Sequence, residues 1–208
     1  MDLQERVDPG RAVVIVIDMQ NDFCHPEGCW GEGGLDLHEV QKMIPTLEHY
    51  LNMARRYDVP VIFVQTTHSD VDSSPAWKGR KSQNGDTGRR PTCIKGTWGC
   101  EFYGVRPNDG DVIITKHRYS AFVGTNLAQV LNSLGRDSLL LTGVATNVCV
   151  ESTARDALNH DYHVVLVSDC TATTDEGAQR ATEQNIRQGF GWVVPAADIC
   201  NIWERCMK

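Results

Sequence analysis

Leu139-Leu140-Leu141-Thr142-Gly143-Val144-Ala145-Thr146-Asn147-Val148-Cys149 changes period part-way along its length. The leucine run has no polar alternation, as in a strand buried on both faces of a parallel sheet. Gly143 marks a turn, and small and polar residues then lead into a helix predicted over Asn147 to His160. Outward from this unit the pattern repeats. Upstream, the spacing predicts strands over Ala12 to Ile17, Val61 to Gln65, Val112 to Thr115 and Ser138 to Thr142. Leu37 to Tyr57 forms a helix with Leu37, Val40, Met43 or Ile44, Leu47, Leu51 and Ala54 on one face. Val59-Pro60 closes that helix, and Gly135 ends a second one over Thr125 to Leu134. Downstream come a strand over Val164 to Val167, a helix over Asp175 to Gln188, a short strand over Trp192 to Val194 and a helix over Ala196 to Arg205. Strands alternating with helices give right-handed βαβ units. The expected fold is α/β, a doubly wound, Rossmann-like, mostly parallel six-stranded sheet with helices on both faces, in a single domain over 1–208. Thr66 to Tyr103 has no period and reads as a long excursion over one end of the sheet, a length uncommon unless it is functional.

Composition removes several classes. The 208 residues are 41% hydrophobic, too apolar for a disordered chain. The net charge is −7, which speaks against a nucleic-acid partner. The basic clusters, Lys78 to Lys81 and Arg89–Arg90, sit in Gly- and Ser-rich sequence and read as a solvated loop. No apolar run is long enough to span a bilayer, and Met1 to Arg11 lacks the apolar core of a signal peptide. These points indicate a cytoplasmic protein with no membrane partner, in which the eight cysteines are mostly free thiols.

Ligands of open α/β sheets bind beyond the carboxyl ends of the strands. That rule selects Asp18, Thr66 to His68, Lys116, Gly143 to Cys149 and Asp169, an acid, a base and a thiol among them. A cysteine is most often a small buried hydrophobe. Cys149, however, follows a strand–turn–helix, where Thr146 or Asn147 can cap the helix and its N-terminal dipole favours a thiolate. The N–H groups of Ala145 and Cys149 can then bind a developing oxyanion. Asp18 can take the thiol proton, and Lys116 can lower both pKa values by its charge. Ionising a thiol of pKa about 8.5 gains only about 2 kcal/mol, against the roughly 8 kcal/mol or more that enzymes supply. Positioning and oxyanion donors must provide most of the rest.

Three separated segments, Ile17-Asp18-Met19-Gln20-Asn21-Asp22-Phe23, Lys116-His117-Arg118-Tyr119-Ser120-Ala121-Phe122 and Gly143-Val144-Ala145-Thr146-Asn147-Val148-Cys149-Val150, resemble the isochorismatase-like cysteine hydrolases in order and spacing. The resemblance implies Asp18, Lys116 and Cys149 as a catalytic triad, a cis peptide between Val144 and Ala145, and a thioester intermediate formed with release of ammonia or an amine. It also implies a homo-oligomer, dimer or tetramer. The segments Arg118 to Phe122, Asn147 to Thr153 and Phe190 to Val193 look most like ureidoacrylate amidohydrolases and their biuret- and triuret-hydrolysing relatives. The implied partner is thus a small-molecule amide substrate of ureido or carbamoyl type. Two alternatives stand beside this. One is a nicotinamidase-type amidase. The other is a family member that binds without catalysis.

Metal-binding nicotinamidases carry an Asp-x-His pair and a further His after the second strand. Here Gln65-Thr66-Thr67-His68-Ser69-Asp70 offers a lone His68, so neither a metal nor another cofactor is expected. For substrate contacts, Phe23 and Tyr119 are candidates to wall the pocket. Asn21 or Asn147 can donate to a carbonyl, although capping is the plainer role. Gln188 falls where ureide-hydrolysing relatives place a glutamine. Trp30, Trp77 and Trp98 either close over a ligand or pack beneath loops. Asp169 is expected to cap a strand end, Cys24 to lie near the pocket without a catalytic role, and Ile199, Ile202 and Trp203 to serve either an interface or intrachain packing.

Overall fold

The computed structural model describes residues 1–80 and 90–206; Lys81 and Arg89 of the two basic clusters lie outside the described residues. The N-terminal half holds α1 (Leu3–Arg6), β1 (Ala12–Ile17), α2 (Asn21–Cys24), α3 (Cys29–Glu32), α4 (His38–Arg56), β2 (Val61–Thr66) and α5 (Pro75–Gly79). The C-terminal half holds β3 (Val112–Lys116), α6 (Leu127–Leu134), β4 (Ser138–Val144), α7 (Glu151–Asn159), β5 (His163–Ala172), α8 (Glu176–Asn185), β6 (Trp192–Val194) and α9 (Ala196–Cys206). The six strands form one sheet in the order β3-β2-β1-β4-β5-β6, and every neighbouring pair is parallel. The chain builds outward from β1 in one direction and from β4 in the other. The topological switch point therefore lies between β1 and β4, where a ligand crevice opens at the carboxyl ends.

Successive residues of a strand face opposite sides, and β1 buries both sides. Ala12, Val14 and Val16 join the core beneath α4 and α9, with Val40, Leu47, Leu51 and Trp203. Val13, Ile15 and Ile17 join the opposite core, with Leu127 and Leu131 of α6 and Ala154 and Ala157 of α7. This two-sided burial is why β1 reads as an unbroken apolar run. Ile199 and Trp203 of α9 are fully buried within the chain and Ile202 packs partly against the same core, so this helix face serves intrachain packing.

Gly143 is required where it stands. Its φ is +100°, and a Cβ there would lie 2.0 Å from the carbonyl oxygen of Ile17. Any side chain would push β4 away from β1 at the mouth of the crevice.

Several boundaries differ from the sequence expectation. The helix expected from Asn147 begins as a π-helical turn over Thr146–Val150 before α7. Neither Thr146 nor Asn147 caps it: the turn has no side-chain cap, and the Asn147 Oδ1 instead accepts from Thr173 Oγ1 at 2.8 Å. Strand β5 runs on to Ala172, with a register shift between Leu141 and Gly143 of its neighbour. Asp169 therefore lies inside the strand rather than at its end, and its carboxylate accepts from the Ala196 N–H at 2.7 Å, at the start of α9.

The long excursion is fixed to the sheet by buried polar groups near β1. Asp22, fully buried, accepts from the Cys29 and Cys93 N–H groups and pairs with Arg90 at 2.7 Å. The Gln20 side chain accepts from the Thr66 N–H and donates to the carbonyls of Thr66 and Cys100. These bonds hold the excursion over the carboxyl ends of the strands.

Candidate active site

Asp18 follows β1 with φ +55°, a left-handed conformation that Asp tolerates better than most residues. Its N–H donates to the Val64 carbonyl, so the chain end of β1 stays tied to β2 while the carboxylate turns inward. Lys116, the last residue of β3, reaches across and donates to Asp18 Oδ2 at 2.8 Å. Both side chains are 1% exposed. The Thr66 hydroxyl bridges them, donating to Asp18 Oδ1 at 2.9 Å and accepting from Lys116 Nζ at 2.6 Å. Lys116 Nζ also donates to the Arg118 carbonyl at 3.1 Å and approaches Cys149 Sγ at 3.4 Å. An ammonium has three protons, and the three oxygens are the closer partners. The sulfur receives a shared contact, and the ammonium serves chiefly to balance Asp18.

Burial drives the electrostatics. The packing round its sulfur pushes the Cys149 thiol up to about 12; the Asp18 charge adds to this, and Lys116 only partly opposes it. Burial pulls the Lys116 pKa down, but the adjacent Asp18 carboxylate and the Cys149 sulfur outweigh it, leaving the ammonium above its usual value. Desolvation thus opposes the thiolate that the helix terminus and Lys116 favour. Desolvation is the largest influence because Cys149 sits on a π-helical turn packed against the core, and Lys116 divides its three protons among the sulfur and three oxygens.

The peptide bond between Val144 and Ala145 is cis. Ala145 and Cys149 line the same cavity, of about 130 Å³, as Asp18, Thr66 and Lys116. The Ala145 N–H has no hydrogen-bond acceptor among the described residues, while its carbonyl accepts from the N–H groups of Val148 and Val150.

The Isochorismatase domain model matches residues 12–198, nearly the whole span from β1 to α9. The chain belongs to the isochorismatase family. It is 34% identical over 208 residues to ureidoacrylate amidohydrolase RutB of Agrobacterium fabrum, covering 93% of this chain and 90% of that one. A cysteine hydrolase from Pseudomonas syringae pv. phaseolicola superposes with a TM-score of 0.83 at 27% identity, covering 96% of this chain and 95% of the other. N-carbamoylsarcosine amidase from Thermoplasma acidophilum superposes with a TM-score of 0.73 at 27% identity, covering 89% and 96% respectively.

Within this isochorismatase-family fold, the sequence candidates divide. Phe23 and Tyr119 line the cavity, together with Trp30 and Trp77. Phe23 packs edge-on to Trp30 at 5.0 Å, and Trp77 lies 4.8 Å from Tyr119. Asn147 and Gln188 are exposed and are not among the lining residues; Gln188 sits on the π-helical turn after α8. Asn21 is buried and donates to the Trp98 carbonyl, Trp98 packs against His25, and Cys24 is buried behind Asp18. Thr92, not singled out from sequence, also lines the cavity, and so does Arg80, whose basic cluster reads in the sequence as a solvated loop. Both lie in the aperiodic excursion, where residue type gives no sign of direction. His68 lines the cavity, and burial lowers its pKa, so it is neutral at neutral pH. Among the described residues no group of three His, Cys, Asp or Glu side chains is arranged to hold a metal ion, and no helix is long and apolar enough to cross a membrane.

Proposed function

We propose that this chain is a cysteine amidohydrolase that cleaves a C–N bond of a small ureido or carbamoyl substrate through a thioester. The observation that carries the reading is the convergence of Cys149, Asp18 and Lys116 on one cavity of about 130 Å³. That volume is small beside the roughly 300–1,000 Å³ of drug-sized ligand pockets and suits a ligand of few atoms. The names of its family relatives point to the same bond type.

In this account Asp18 accepts the Cys149 proton as the sulfur attacks the substrate carbonyl. Burial raises the Cys149 thiol, which favours passing its proton directly to Asp18 over release to water. Lys116, donating to Asp18 Oδ2, orients the carboxylate that accepts the proton. The N–H groups of Ala145 and Cys149 receive the oxyanion of the tetrahedral adduct. Collapse breaks the C–N bond, and the proton held by Asp18 passes to the departing nitrogen, which leaves as ammonia. Asp18 then takes a proton from water. The hydroxide attacks the thioester, and the thiol is regenerated with the proton from Asp18.

The aromatic wall of Phe23, Trp30, Trp77 and Tyr119 favours a flat aromatic amide such as nicotinamide as the second reading. An ammonia-release screen over ureidoacrylate, biuret, triuret and nicotinamide tests both. Release from a ureide well above release from nicotinamide supports the first reading; the reverse order supports the second.

A further inference from the structure

The cavity holds more positive charge than the chemistry at Cys149 uses. Lys116 is balanced by Asp18, but Arg80 and Arg118 line the same cavity and neither pairs with a carboxylate among the described residues. Both guanidinium groups lie against one indole. Arg80 is 3.7 Å from the Trp77 ring centroid and Arg118 is 4.9 Å from it. Each is held in place by neutral acceptors. Arg80 donates from Nε to the Tyr119 hydroxyl at 2.8 Å and from Nη1 to the Trp77 carbonyl. Arg118 donates from Nη1 to the carbonyls of Asp72 at 3.0 Å and His117 at 2.7 Å. The remaining donors, Nη2 of Arg80 and Nε and Nη2 of Arg118, have no acceptor among the described residues.

The nearby acids are otherwise engaged. The Asp72 carboxylate accepts from the Ser69 and Ser73 hydroxyls, and Asp70 pairs with Lys78 at 2.9 Å. Two like charges sharing one ring repel each other, in a chain whose net charge is −7. An anion in the cavity that both line would offset that repulsion and supply acceptors for the open donors. Guanidinium forks match the two oxygens of a carboxylate.

We propose that Arg80 and Arg118, set around Trp77, recognise a carboxylate on the substrate, so that the substrate is a ureido acid rather than a neutral ureide such as biuret. The inference rests on the amidohydrolase reading and narrows it. The carbamoyl end meets Cys149, and the acid end meets the arginines across the cavity. Arg80 is the specificity-determining residue that can be changed most cleanly, because the Arg118 carbonyl also holds Lys116.

The test compares 3-ureidopropionate or ureidoacrylate with the corresponding methyl ester. Wild type is expected to favour the acid by about tenfold or more in kcat/KM, the difference residing in KM, as a charge-assisted contact implies. Arg80→Met should remove most of that acid-to-ester preference, a loss of about tenfold, and Arg80→Lys should restore part of it. Equal use of acid and ester by wild type, or an equal loss for both in Arg80→Met, overturns the proposal while leaving the amidohydrolase reading intact. If no ureide releases ammonia, that reading fails. Calorimetric binding of acid and ester to Cys149→Ala then decides the anion site by itself: tighter binding of the acid supports it, and equal or absent binding of the acid overturns it.

Discussion

Lys116→Met should destabilise the fold as well as impair catalysis. Lys116 and Asp18 are each 1% exposed and meet at 2.8 Å, so removing the ammonium leaves a carboxylate in a nearly dry site, held only by the Thr66 hydroxyl. Methionine replaces the stem but none of the charge. Breaking one partner of a buried pair costs about 3–5 kcal/mol, because the survivor is uncompensated. For a chain of this size that is a fall in Tm of about 6–20 °C, at about 2–4 °C per kcal/mol. The double variant Asp18→Asn, Lys116→Met removes both charges and should recover most of the loss, since replacing a whole buried pair is often nearly neutral. Thermal and urea unfolding of the four proteins in the cycle gives the coupling directly. A loss below about 1 kcal/mol in Lys116→Met, or a double variant as unstable as the sum of the singles, would refute the argument that Lys116 exists to balance Asp18.

Other consequences follow from the same geometry. Cys149 alkylation by iodoacetamide should keep accelerating through neutral pH toward about 12; a plateau below pH 8 would mean the thiol rests ionised. Stability should decline in alkali. The folded Lys116 pKa lies above its ordinary 10.5, so its contribution is complete below pH 10.5 and disappears as pH climbs through the higher folded value. Titrating unfolding free energy upward from pH 9 checks this, and a flat profile would contradict it. Gly143→Ala should cost about 2–6 kcal/mol from the left-handed φ and the collision with Ile17, measurable by urea unfolding. Gln188→Ala should leave kcat/KM within about twofold, since the side chain is exposed and away from the cavity; a larger loss in the ammonia assay would bring it back into the site.

The parts legible in the sequence are those whose signal is local. A strand buried on both faces must be apolar at consecutive positions, so β1, β2 and β4 announced themselves, and the order of strands and helices followed. Asp18 was legible because a carboxylate directly after such a run is costly without a partner, and Lys116 and Cys149 because they stand at or beyond the carboxyl ends of other strands. What escaped depends on partners far along the chain. Gln20 looks like any residue after a strand, yet it ties down Thr66 and Cys100 at separations of 46 and 80 residues. Arg80 gains its place at the cavity only through the fold of the excursion, which also decides between the two readings open for Trp77. The desolvation of Cys149 escaped for a related reason. A helix start suggests a dipole and a cap, whereas packing round the sulfur raises the thiol, and that packing depends on the π-helical turn and the distant core. The extension of β5 past Val167 was hidden because Ser168 and Asp169 interrupt the apolar run at the register shift.

The most direct test is the turnover of Cys149→Ala. Ammonia release from the preferred ureide is measured for wild type and variant, alongside their thermal unfolding. The account predicts an unchanged fold and a rate lower by about 10⁴-fold or more, the scale seen when a nucleophile is removed. A folded Cys149→Ala enzyme that still turns over at a rate near wild type would contradict it.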